Sequence, residues 1–142
     1  MSLTAFSINR TNRTWQSLIH DVVEQSAYAQ NTWYTILDKT DQGRFRLITL
    51  YAMTEDTGET LEAKLTIDGL TLTKSNACLA DTGYNVYKSP TADGLVWGAA
   101  NTPLNTAYYN CLECKTGFKY ELQKTSNNGN GTLNGSVVYL TI

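Results

Sequence analysis

Residues 61–72, LEAKLTIDGLTL, constrain the fold more than any other stretch of the chain. Leu61, Ala63, Leu65 and Ile67 alternate with Glu62, Lys64, Thr66 and Asp68, the two-residue period of a half-buried strand. Asp68-Gly69 is a two-residue hairpin signal, because the favoured turn needs positive φ at both central residues. With those two residues as the loop, Ile67 pairs with Leu70 and Leu65 with Leu72. Lys64, Thr66, Thr71 and Thr73 then share the opposite face. Pattern, turn and register agree, and they point to an antiparallel β fold.

The rest of the composition points the same way. The chain has 142 residues, enough for one domain with a core, and its charged fraction is 17% against a usual ~25%. Polarity comes instead from 21 Thr and 12 Asn, residues suited to strand faces and turns. Strands are expected at 33–37, 44–53, 84–88, 95–97, 108–114, 118–124 and 137–142, beside the hairpin. Turns separate them at Asp41-Gln42-Gly43, at Asp56-Thr57-Gly58-Glu59 and in the loop 126–132, SNNGNGT. Within 44–53, Phe45, Leu47, Tyr51 and Met53 fall on one face and Ile48, Leu50 and Ala52 on the other. Apolar residues on both faces predict a second covered surface, such as a subunit interface involving Ile48 and Leu50.

The N-terminal region reads differently. Trp15, Leu18, Ile19, Val22, Val23 and Ser26 recur at helical spacing, with Gln16, His20, Asp21, Glu24 and Gln25 opposite. Thr14 is a plausible N-cap in sequence terms. One short amphipathic helix is therefore expected over 15–27, after an extended arm, with Trp15 a candidate interface residue. The expected organisation is an arm and helix over 1–30, then an all-β sandwich or jelly roll over 31–142, with the hinge near Gln30-Asn31.

Composition also narrows function. Net charge is −2 and no basic block occurs, which argues against nucleic acid as a partner. No apolar run is long enough to span a bilayer, and no signal peptide is visible at the N-terminus. Four N-x-S/T triplets, at Asn9, Asn12, Asn130 and Asn134, are expected to stay unmodified in that setting. Cys78, Cys111 and Cys114 form an odd set, read as reduced thiols in a cytoplasm.

No motif reaches a catalytic signature. Cys111-Leu112-Glu113-Cys114 is a CxxC, but it precedes a turn and strand rather than opening a helix, so the feature that activates a redox thiol is missing. It supplies two of the four ligands of a structural zinc, and only Cys78 and His20 remain to complete the set. His20, the sole histidine, lies on the polar side of the expected helix with no nucleophile motif. The carboxylates fall mostly in turns, and no pair stands out for glycoside hydrolysis. P-loop, dinucleotide and calcium-loop motifs are absent. The expectation is a non-enzymatic protein with no metal and no cofactor. Tyr84, Tyr87, Trp97, Tyr108 and Tyr109 cluster in and around the longest irregular stretch. Such side chains fill a core, anchor an interface or stack on sugar rings. The third role would make the chain a carbohydrate-binding or adhesin module.

Three segments, Arg44-Phe45-Arg46-Leu47-Ile48, Leu65-Thr66-Ile67-Asp68-Gly69 and Gly135-Ser136-Val137-Val138-Tyr139-Leu140, give the chain a likeness beyond its composition. Over roughly 32–142 it resembles small β-sandwich structural proteins of tailed bacteriophages. That resemblance implies a virion component made in the host cytoplasm: a tail, collar, fibre or head-decoration protein. It also implies a symmetric homo-oligomer, with a trimer among the options, docked to other virion proteins and in some cases to a cell-surface glycan.

Overall fold

A computed structural model describes residues 19–26, 28–56, 58–88, 94–99, 112–126 and 131–141. These form ten strands: β1 (Ile19–Ser26), β2 (Tyr34–Asp38), β3 (Phe45–Thr54), β4 (Glu59–Ile67), β5 (Leu70–Cys78), β6 (Tyr84–Lys88), β7 (Leu95–Ala99), β8 (Leu112–Cys114), β9 (Phe118–Lys124) and β10 (Thr132–Thr141). One sheet runs β1-β10-β3-β6-β7, with β8 also on β3, and the other runs β2-β9-β4-β5. Chain ends pair inward: β1 with β10, β2 with β9, β3 with β8 and β4 with β5, all antiparallel. Nested pairing of this kind, rolled into two facing sheets, is a jelly roll.

The innermost pair is the hairpin read from the sequence. Ile67 pairs with Leu70, Leu65 with Leu72, Lys64 with Thr73 and Thr66 with Thr71. Asp68 and Gly69 both have positive φ, 49° and 85°, as the tight turn requires. Leu61, Ala63 and Leu65 are fully buried between the sheets. Each such leucine contributes about 1.5–3 kcal/mol through burial. β6 and β9 occupy the expected residues, while β10 starts at Thr132, within the expected loop.

Two expectations are corrected. Over 19–26, where a helix was expected, the chain is a strand, held by eight consecutive residue pairs with β10. Residues 15–18 of that expected helix, and the arm, lie outside the described residues. The physical reason is that helical spacing alone does not bury a face. A full ladder along β10 satisfies the backbone, and Val22-Val23 suits a strand better than a helix.

The second correction concerns β3. Its register against β10 shifts between Val138, which pairs with Thr49, and Tyr139, which pairs with Leu47. Ile48 is thus an extra residue, a β-bulge, and it reverses the facing of everything after it. Phe45 and Leu47 point inward, and so do Leu50, Ala52 and Thr54. The apolar character of both predicted faces is largely one inner face interrupted by a bulge. Leu50 is fully buried in the core, so it is not an interface residue.

Candidate functional site

Three places in the fold gather side chains with chemical potential: one end of the sandwich interior, the opposite rim, and the outer face of the larger sheet.

At the first end, the inner faces of β4 and β9 carry charge. Residues 59, 61, 63 and 65 of β4 point inward, as do 118, 120, 122 and 124 of β9. Glu59 and Lys124 therefore sit inside, 0% and 1% exposed, beside fully buried Tyr28 and Thr54. Lys124 is diagonal to Glu59 across the ladder, because it pairs with Leu61. Its Nζ lies 4.6 Å from the Tyr28 ring centroid, a cation–π contact. The Tyr28 hydroxyl and the Thr54 hydroxyl share a hydrogen bond of 2.5 Å. The Thr54 hydroxyl also accepts from the Asp56 amide at 3.0 Å, and Asp56 accepts from the Gly131 amide. Burial pushes the Tyr28 hydroxyl well above its ordinary range, and the Asp56 and Glu59 carboxylates push the same way. It stays neutral and serves as a hydrogen-bonding anchor. This cluster is a polar plug within the core. Sequence reading missed it, because Glu59 ends a polar turn and Lys124 ends a strand, both ordinary positions for exposed charge.

On the opposite rim, Asp68 does more than turn the hairpin. Its carboxylate accepts from the Lys115 amide at 2.9 Å, the Thr116 amide at 2.8 Å and the Thr116 hydroxyl at 3.0 Å. Those bonds hold its carboxyl below the ordinary carboxylate range. The Asp68 amide in turn donates to the Gly117 carbonyl at 3.4 Å. Gly117 has φ +133°, and a Cβ there would stand 2.0 Å from the Lys39 carbonyl oxygen. The turns after β2, β4 and β8 thus interlock, and Asp68 is spent on structure.

The thiols are packing groups. Cys78 and Cys114 are buried and unbridged. Burial pushes Cys114 up to about 12, with the Asp68 and Glu113 charges adding to it. Burial raises Cys78 as well. Cys111 lies outside the described residues, and His20 stands in β1 rather than on a helix. Among the described residues no group of three or more His, Cys, Asp or Glu is placed to hold a metal.

The sequence-predicted aromatics divide. Trp97 and Tyr84 pack against the core as an edge-to-face pair, with centroids 6.1 Å apart. The Trp97 Nε1–H donates to the Lys74 carbonyl at 3.0 Å, tying β7 to β5. Tyr87 pairs with Val96, on the outer face of the larger sheet. Tyr108, Tyr109 and Trp15 lie outside the described residues. Among the described candidates, Trp97 and Tyr84 meet, and Tyr87 stands on the other face of the sheet.

The outer faces of the two sheets differ. On the smaller sheet, Lys64 meets Glu121 at 3.6 Å and Lys119 meets it at 3.8 Å, while Gln123 donates to Glu62 at 2.6 Å. Lys64 also lies over the Trp33 ring at 4.1 Å. On the larger sheet, Ile48, Tyr51 and Met53 of β3, Val138 of β10 and Val96 of β7 point outward, all half-buried. The bulge leaves Ile48 on this face. The Tyr51 hydroxyl donates to the Met53 Sδ at 3.6 Å, and its ring lies against Gly83, where a Cβ would stand 2.5 Å from the hydroxyl.

No protein-family model and no curated protein matches the chain. A solved structure, "Structure of infectious bursal disease virus Gx strain", superposes on 91% of this chain and 33% of its own, at 14% identity and a TM-score of 0.38. This chain therefore spans about a third of that one, and so loose a superposition assigns neither family nor function.

Proposed function

We propose that this chain is a non-enzymatic structural protein of a virus particle, which acts by docking to neighbouring subunits through the outer face of its larger sheet. The observation that carries the reading is the set of half-buried apolar side chains on that face, Ile48, Tyr51, Met53, Val138 and Val96, set among Thr49, Ser136 and Asn85. The smaller sheet carries ion pairs outward instead. A clean polar exterior is the rule for a sheet facing water, and apolar residues at the centre of a face mark a contact. Jelly rolls serve in viral shells, in lectins and in cupins, so the fold by itself does not choose among these. The buried chemistry is absorbed by structure: Asp68 in a turn clamp, Glu59 and Lys124 in an interior plug, Cys78 and Cys114 in packing. The likeness of the three segments to tailed-phage structural proteins supports a tail, collar, fibre or head-decoration role within this reading.

Light scattering tests it. The purified protein is expected to assemble beyond a dimer, and Ile48→Asp to cut that mass sharply while leaving the circular dichroism unchanged. A wild-type protein that stays monomeric at millimolar concentration contradicts the reading.

A further inference from the structure

The polar end of the interior holds more negative charge than it answers. Asp56 is 8% exposed, and Glu59 and Lys124 less. At formal charge, two carboxylates and one ammonium sum to −1. A buried charge needs a counter-charge or hydrogen bonds in place of its lost water. Asp56 is provided for on one side, where Oδ1 accepts from the Gly131 amide. Its Oδ2 is just as closed to water and has no hydrogen-bond partner. Buried polar atoms in native folds are ordinarily answered, so this one calls for a ligand or a proton.

The fold gathers further oxygens at that place. Thr54 ends β3, Glu59 opens β4, and Asp56 lies in the turn between them. Tyr28 enters from the link between β1 and β2. Its hydroxyl stands 2.5 Å from the Thr54 hydroxyl, which accepts from the Asp56 amide at 3.0 Å. The charges of Asp56 and Glu59 both bear on the Tyr28 hydroxyl, which the Asp56 side chain also meets directly. Gly131 closes the far side so tightly that a Cβ there would collide with the Asp56 carboxylate. The Lys124 ammonium lies over the Tyr28 ring, 4.6 Å from its centroid.

We infer that the polar plug binds a monovalent metal cation, sodium or potassium, against Asp56 Oδ2, with the Glu59 carboxylate and the Tyr28 and Thr54 hydroxyls around it. The donor set selects this class. All four groups offer oxygen, which suits hard cations rather than the metals that thiolates and imidazoles hold. Two carboxylates and two hydroxyls fall short of the roughly six to eight oxygens that calcium takes. One positive charge, not two, brings the cluster to zero. Such an ion ties the β3–β4 turn to Tyr28 and to the start of β10, and it acts on stability, independently of how the outer faces dock.

An ion bound only by the folded chain stabilises it by mass action. Urea melts in sodium or potassium chloride, with N-methylglucamine chloride holding ionic strength constant, read that directly. The unfolding equilibrium constant of the wild type should fall about ten-fold for each ten-fold rise in the cation above its Kd. The ion that fits better should act at the lower concentration. Asp68→Asn, which removes a carboxylate at the opposite rim, should keep the full dependence, and Asp56→Asn should lose it. A wild-type constant that ignores both sodium and potassium overturns the inference and gives Asp56 Oδ2 to a proton or a water. A dependence that Asp56→Asn retains overturns it as well. If Asp56→Asn does not fold, sodium NMR of the wild type decides. The sodium line should broaden more with the native protein than with the urea-unfolded one, and sharpen when excess potassium chloride is added. Equal linewidths with native and unfolded protein overturn the inference.

Discussion

Where β8 turns into β9, the core is closed by rings: Phe45, Phe118 and Tyr139 meet edge to face, with centroids 5.5 to 5.8 Å apart. At the other end of the same two sheets the corresponding layer holds Tyr28, Thr54, Glu59 and Lys124, equally buried. The aromatic end gains from area and from ring geometry, each pair adding about 0.5–1.5 kcal/mol beyond burial. Apart from the Tyr139 hydroxyl, its ring atoms need no particular partner. The polar end is different. A buried charge is tolerated only with its partners in place, so the plug is sensitive to the loss of any one member. One end is filled by volume and the other by a polar cluster in which the buried Asp56 Oδ2 has no hydrogen-bond partner. Neither opens an obvious role for chemistry, which is why the functional reading moves to the outer surfaces.

That contrast can be broken from either side. Phe118→Ala removes the ring shared by two of the three aromatic contacts and is expected to cost about 4 kcal/mol in urea unfolding. A loss below half of that would mean the rings are not what closes that end. At the polar end, Lys124→Met keeps the volume and deletes the only buried basic side chain among the described residues. The expected cost is about 3 kcal/mol, since Glu59 stays buried while the one buried ammonium among the described residues and its contact with the Tyr28 ring are lost. Adding Glu59→Gln to the same chain should recover part of it, and strict additivity in that double-mutant cycle would show that the two do not communicate. Tyr28→Phe deletes one buried hydrogen bond and should cost about 1–2 kcal/mol.

The smallest effect belongs to Asp68. Its folded carboxyl lies below the ordinary value of 3.8, so its contribution is complete above that value and fades as pH falls through the lower folded one. Asp68→Asn should therefore lower stability at neutral pH by about 0.5 kcal/mol, the scale of a solvent-screened surface interaction. The gap from wild type should close in strong acid. A gap that persists unchanged there would show that the carboxylate charge is not involved.

The same two ends mark how far the sequence could be read. The hairpin of β4 and β5 was legible because alternation, turn residues and register are all local. The bulge at Ile48 was not. One inserted residue among Leu47, Ile48, Thr49 and Leu50 leaves no trace in hydrophobicity, and every facing after it reverses. β1 was misread because its apolar residues fall at helical spacing, while the ladder that makes it a strand is supplied by β10, more than a hundred residues away. The polar plug was hidden for a related reason. Glu59 and Lys124 are unremarkable in sequence, and only the pairing of β4 with β9 places them on one inner face. Asp68 was correctly read as a turn residue, but its bonds to Lys115 and Thr116 depend on three turns meeting in space.

The central claim is that the outer face of the larger sheet is covered by neighbouring subunits. Met53 lies on that face, and Met1 is the only other methionine, so oxidation by dilute peroxide followed by peptide mass spectrometry reads the face directly. In the assembled wild-type protein, Met53 should oxidise several-fold more slowly than in Ile48→Asp at the same concentration, with Met1 unchanged between the two. Equal Met53 oxidation in both proteins would contradict the account.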